Sequence, residues 1–160
     1  MQIIGPALNA RTSCEAVLRS LPQWFGIEES LLMYADDTLR LPTFAALEGD
    51  DVVGFVSLIE HFPQSWEIHC VAVRAESRNA GIGRALVAHV EAWLAAKQVR
   101  LLQVKTIAAT SPSPAYAQTR EFYLRVGFQP VEVFPLLWSP RHPCLQLIKF
   151  LPGGGPERAS

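Results

Sequence analysis

The sequence predicts an α/β fold. The first observation behind it is the run Val71-Ala72-Val73-Arg74-Ala75-Glu76-Ser77-Arg78-Asn79-Ala80-Gly81-Ile82-Gly83-Arg84-Ala85-Leu86, which reads as a buried strand, a turn and a glycine-opened helix. The second is a helical pattern over 115–126 closed by Gly127, where a left-handed C-cap belongs. The third is that strand and helix patterns alternate along the whole chain with short polar connections. The chain has 160 residues, 49% hydrophobic and 18% charged, which suits one globular domain, expected over 1–151.

Residues 2–5 read as a short strand. Thr12 or Ser13 offers a cap for a helix running to about Leu21, where Pro22 follows, and Glu28 to Leu39 predicts a second helix stopped by Pro42. Thr43–Glu48 and Val52–Glu60 read as strands joined by the acid-glycine turn Gly49-Asp50-Asp51. Through Pro63-Gln64-Ser65 the chain enters the strand Trp66–Val73. The helix from Gly81 to about Lys97 carries Ile82, Leu86, Val90, Trp93 and Leu94 at helical spacing. A strand over 100–107, a Ser/Pro loop at 110–114, the 115–126 helix, a strand near Phe128–Phe134 and a last strand Cys144–Leu151 complete the order. The segment 152–160, with three consecutive glycines and nothing apolar to bury, is expected to be a flexible tail.

Composition narrows the function classes. Fourteen basic against fifteen acidic residues give a net charge of −1, so no basic field argues for a nucleic-acid partner. Apolar runs stop short of the roughly 18 residues that a membrane span requires, and no basic segment followed by an apolar core opens the chain. Cys14, Cys70 and Cys144 are widely spaced and odd in number, which speaks against a disulfide framework or a zinc site. Free, buried thiols in a cytoplasmic protein are expected, with no metal.

Gly81 and Gly83 let the backbone approach a ligand, and the first N–H groups of the following helix lie there with the positive end of the helix dipole behind them. A phosphate or pyrophosphate is the natural guest. A dinucleotide fold requires a third glycine where Leu86 stands, and a P-loop requires a Gly-Lys pair that is absent. The stretch instead resembles the acetyl-CoA signature [QR]-x-x-G-x-[GA] of the GNAT superfamily of N-acetyltransferases, met by Arg78-Asn79-Ala80-Gly81-Ile82-Gly83. The helix Tyr116–Phe128, with its Phe122-Tyr123 and Gly127-Phe128 pairs, resembles the second signature of that family, A-x-x-F-Y-x-x-x-G-F. Where many members have an asparagine before the Phe-Tyr pair, this chain has Ala115-Tyr116-Ala117-Gln118-Thr119, so that role is not carried over.

The resemblance implies the GNAT fold: a mixed, mostly antiparallel sheet with splayed central parallel strands, flanked by helices. It implies acetyl-CoA as co-substrate, with the backbone of Val71, Ala72 and Val73 along the pantetheine. Arg78, Asn79, Ala80, Gly81, Ile82, Gly83 and Arg84 would hold the pyrophosphate. Acetyl transfer to an amine needs a proton acceptor for the ammonium, a donor for the carbonyl oxygen and a proton for the departing sulfur. Tyr123 matches the tyrosine that many members aim at the sulfur. Glu67 lies on the strand where histone-acetylating members carry a catalytic glutamate, and His69, two residues on, shares its face by alternation. Glu60-His61 ends the neighbouring strand as a second acid–imidazole pair. Trp24, Phe25 and Trp138 occupy the segments from which family members build the acceptor site, and the acids Glu28, Glu29, Asp36 and Asp37 would draw a cation. A small-molecule or peptide amine is the expected partner, without nucleic acid or membrane. Family members are often dimers, and the apolar last strand leaves a homodimer open. Three functions fit these residues: an acetyl-CoA-dependent N-acetyltransferase, an acyltransferase using another acyl-CoA or an oxygen acceptor, and a CoA-binding sensor without turnover.

Overall fold

A computed structural model describes residues 1–7 and 9–152. The element order is β1 (Gln2–Ile4), α1 (Arg11–Arg19), α2 (Glu28–Asp37), β2 (Thr43–Glu48), β3 (Asp51–Phe62), β4 (Ser65–Val73), α3 (Ile82–Ala96), β5 (Leu101–Ile107), α4 (Pro114–Arg125), β6 (Gln129–Ser139) and β7 (His142–Phe150). This is the α/β alternation expected. The predicted tail lies, from residue 153 on, outside the described residues. No helix among the described residues is long and apolar enough to cross a membrane.

The chain divides into two compact units, Met1–Ile59 with Ile68–Trp93, and Glu60–Glu67 with the chain from Leu94 onward. In the first unit the strands follow the order β1-β2-β3-β4, with β1 and β2 antiparallel and β2 and β3 antiparallel. The amphipathic stripes of α1 and α2 explain one side of its core. Cys14, Val17 and Leu18 of α1, with Leu21 just beyond it, and Leu31 and Ala35 of α2 are buried with Ala45, Val52, Phe55, Cys70 and Ala72 of the strands. Helix α3 packs where β3 has no side chain. A Cβ on Gly54 would meet Ile82 Cγ2 and Leu86 Cδ1 at 3.3 Å and Ala72 O at 3.0 Å, so the glycine lets the first turn of α3 lie directly on the strands.

In the second unit the strand order is β5-β7-β6, antiparallel throughout. Helix α4 starts at Pro114 with Ser113 Oγ accepting from Tyr116 N–H at 3.4 Å, and it ends before Gly127 at φ 100°. Two local expectations need correction. Helix α1 starts after Ala10, with no side-chain cap from Thr12 or Ser13. Strand β6 extends to Ser139, so Trp138 lies in a strand and not in the loop before β7. Trp66, Glu67 and Ile68 are all buried, so both faces of β4 are covered at its start.

Candidate active site

The first unit carries the glycine loop. Beyond Val73 the chain stays tied to β3 through Arg74 N–H to Val53 O at 2.8 Å, makes a single 3₁₀ turn over Ala75–Ser77, and then extends through Arg78. Asn79 at φ 64° and Gly81 at φ 81° turn it into α3. The first helical hydrogen bond runs from Ala85 N–H to Gly81 O at 3.0 Å, which leaves the N–H groups of Ile82, Gly83 and Arg84 ahead of the ladder. Nothing lies within 4 Å of where a Gly81 Cβ would stand, so the loop faces open space. Asn79, Ala80, Gly81 and Arg84 are exposed, whereas the Ile82 side chain is buried and only its backbone is available. These features fit an anion such as a phosphate or pyrophosphate.

Arg78 is anchored by Trp24. Its guanidinium carbon lies 4.3 Å from the centre of the Trp24 ring, and desolvation by burial lowers its pKa from the ordinary arginine value. Trp24 and Phe25, expected to wall an acceptor, are half-buried against the core of the first unit. For Trp24 the structure therefore adds a second contact, to Arg78 of the glycine loop, that the sequence did not reveal.

Next along β4 stands His69, its side chain 19% exposed. Its Nε2 lies 2.8 Å from Oδ2 of Asp37, the last residue of α2, and its ring centroid is 5.0 Å from that of Tyr34. Tyr34 in turn meets Phe25 edge-on, with centroids 5.8 Å apart. The second oxygen of Asp37 accepts from Arg40 Nη2 at 2.7 Å and Nε at 3.1 Å. No hydrogen bond to His69 Nδ1 is present among the described residues. Cysteine chemistry has no place beside it: burial pushes the Cys14 thiol up to about 12 and Cys70 higher still, so both stay protonated.

The second unit holds Glu67, only 11% exposed at its side chain. His61 Nε2 lies 2.7 Å from its Oε1, and the Lys105 ammonium donates to Oε1 and Oε2 at 3.1 and 3.2 Å. Lys105 also reaches Gln103 Oε1 at 3.4 Å, which accepts from Gln146 Nε2 at 2.9 Å. Glu67 is thus the centre of a filled polar cluster. Glu60 is exposed and is not part of it; the imidazole that engages Glu67 belongs to the next residue, His61. Tyr123 is buried in α4 between Phe122 and Phe128, with ring centroids at 5.4 and 5.6 Å. Trp138 is exposed on β6.

Sequence reasoning missed Lys105 as the partner of Glu67 and Asp37 as the partner of His69. Lys105 is separated from Glu67 by 38 positions, so only the folded chain joins them. Asp37 did leave a signal. It is an acid in the last turn of a helix that has no basic residue there, against the dipole.

The model of the acetyltransferase (GNAT) family matches residues 13–128. No curated protein matches the chain in sequence. Among solved structures, a GNAT-family protein from Desulfovibrio desulfuricans superposes with a TM-score of 0.80 at 22% identity, covering 94% of this chain and 98% of that one. An aminoglycoside 6'-N-acetyltransferase complexed with coenzyme A gives 0.78 at 21% identity, with 98% and 100% covered. The ribosomal-protein-alanine N-acetyltransferase of Brucella melitensis gives 0.71 at 19% identity, with 94% and 100% covered. At these identities the likeness shows a shared fold. The family match spans most of the chain, and with the glycine loop at the start of α3 and the Phe-Tyr helix α4 it leads to one conclusion: this protein belongs to the acetyltransferase (GNAT) family.

Proposed function

We propose that the protein transfers the acetyl group of acetyl-CoA to a primary amine by direct attack on the thioester. The observation that carries this reading is the loop Arg78–Arg84, whose amides ahead of Ala85 and open approach at Gly81 suit the pyrophosphate. Acetyl-CoA supplies the activated acyl carbon. The backbone of Val71, Ala72 and Val73 pairs with the pantetheine amides, and Arg78 and Arg84 add charge to the grip. His69 takes a proton from the acceptor ammonium through Nδ1, the ring nitrogen without a hydrogen-bond partner among the described residues, while Glu67, already engaged by Lys105 and His61, is held as an ion-paired carboxylate. As the N–C bond forms and the C–S bond breaks, the second amine proton passes to the departing sulfur. Tyr34, packed beside His69, and Phe25, packed on Tyr34, contribute an aromatic wall for the acceptor.

A thiol-release assay with acetyl-CoA against a panel of alkylamines, amino acids, aminoglycosides and peptide N-termini tests the reading. Release that depends on one amine class supports it; tight acetyl-CoA binding with no release for any amine would make the protein a sensor. Trp24 provides a finer check. Loss of a cation–π contact of about 1 kcal/mol predicts an acetyl-CoA Kd roughly fivefold higher in Trp24→Ala by calorimetry, with the Michaelis constant of the amine kept. The reverse pattern would assign Trp24 to the acceptor.

A further inference from the structure

A buried acid at the C-terminal end of a helix breaks two rules at once. The carboxylate meets the negative end of the dipole, and it is taken out of water. Asp37 does both: it closes α2, and its side chain is 9% exposed. Arg40 answers part of the cost, donating to Oδ1 at 2.7 and 3.1 Å, and β4 supplies the other partner, since His69 Nε2 stands 2.8 Å from Oδ2. Local rules broken and then compensated this fully are found where a site requires the group.

The protonation of the imidazole follows from its partner. A carboxylate only accepts, so Nε2 must carry the hydrogen, and in the neutral ring Nδ1 then carries the lone pair. Tyr34, 5.0 Å away between ring centroids, limits rotation of that ring. We infer that Asp37 is a positioning residue for acetyl transfer: it fixes His69 in the Nε2–H tautomer and stabilises the imidazolium formed when Nδ1 accepts a proton from the acceptor ammonium. This inference rests on the assignment of His69 as the base in the proposed function. In the step itself one N–H bond of the ammonium breaks and the Nδ1–H bond forms. The freed nitrogen lone pair then attacks the thioester carbon, and the imidazolium later loses its proton to solvent.

Arg40 makes the consequence of a single substitution specific. In Asp37→Asn the amide oxygen turns to the Arg40 donors, which leaves the NH₂ group facing His69. An amide N–H toward Nε2 requires Nε2 to accept, so the tautomer inverts and Nδ1 is blocked by its own hydrogen. The same loss of tautomer accounts for the effect of the asparagine variant in the serine-protease triad.

The test is long-range ¹⁵N–¹H correlation of the His69 ring in the wild-type chain, in Asp37→Asn and in Asp37→Asn/Arg40→Met, alongside steady-state kinetics with the best amine. The wild type is expected to show a pyridine-type Nδ1 and a pyrrole-type Nε2. Asp37→Asn is expected to exchange the two and to lower kcat about 100-fold, with the KM for acetyl-CoA kept within about twofold. Releasing the amide from Arg40 in the double variant returns the wild-type pattern and part of the rate. A wild-type Nδ1–H pattern overturns the proposal without need of any variant. An Asp37→Asn chain that folds and keeps the wild-type tautomer also overturns it. Exchange of the tautomer with kcat kept within about threefold overturns instead the base assignment on which the proposal rests.

Discussion

Gly83→Asp abolishes acetyl-CoA binding while the chain stays folded. Gly83 is the second residue of α3 and lies ahead of the first helical hydrogen bond, which Ala85 donates to Gly81. A carboxylate there meets the positive end of the helix dipole, which favours the helix by about 0.3–1 kcal/mol at an exposed site. The same carboxylate stands where the pyrophosphate is bound in the proposed function. Two like charges about 4 Å apart near a protein surface cost about 4 kcal/mol, which corresponds to roughly three orders of magnitude in affinity. Calorimetry is expected to show a Kd at least about 100-fold higher together with an unchanged or slightly raised Tm. The two readouts move in opposite directions, so lost binding cannot be mistaken for lost structure. Unchanged affinity would remove the loop from the cofactor site.

His69→Gln is expected to lower kcat by about 10²–10⁴ with acetyl-CoA affinity kept, the range attributed to a positioned general base. The choice of His69 over Glu67 comes from their partners. Both Glu67 oxygens receive the Lys105 ammonium, and Oε1 also meets His61, so a proton could reach that carboxylate only by displacing an ion pair. His69 keeps one nitrogen in reserve, because Asp37 engages the other. Glutamine matches the size of histidine and can hydrogen bond to Asp37, yet it cannot take up a proton at neutral pH. Stopped-flow or steady-state rates in His69→Gln equal to those of the wild type would return the role to Glu67 or to water.

The parts of the fold that depend on local pattern were legible in the sequence. The Thr43–Glu48 strand was predicted with the boundaries observed, and α3 and α4 were placed to within a residue or two, because apolar periodicity and Gly127 mark them. The strand–turn–helix at Val73–Ile82 was legible for the same reason: Gly81 occupies the positive φ that the turn demands. Elements fixed by pairing were less so. Strand β6 runs past Pro135 to Ser139 because β7 pairs with it, beyond the apolar run that marked its start. Partners distant in sequence were not legible at all. Alternation puts Glu67 and His69 on one face but says nothing of their partners, Lys105 and Asp37, which sequence spacing does not bring near. Trp24 was read as an aromatic wall, and only the folded loop shows the Arg78 guanidinium above its ring.

Acetyl transfer to nitrogen is the central claim, and isotope-labelled acetyl-CoA tests it most directly. The protein is incubated with acetyl-CoA labelled in the acetyl group and with the amine that gives the fastest thiol release, and the amine is then analysed by mass spectrometry. One labelled acetyl group in amide linkage for each thiol released is the predicted result. Thiol release that leaves the amine unlabelled, or label found only in free acetate, would contradict it.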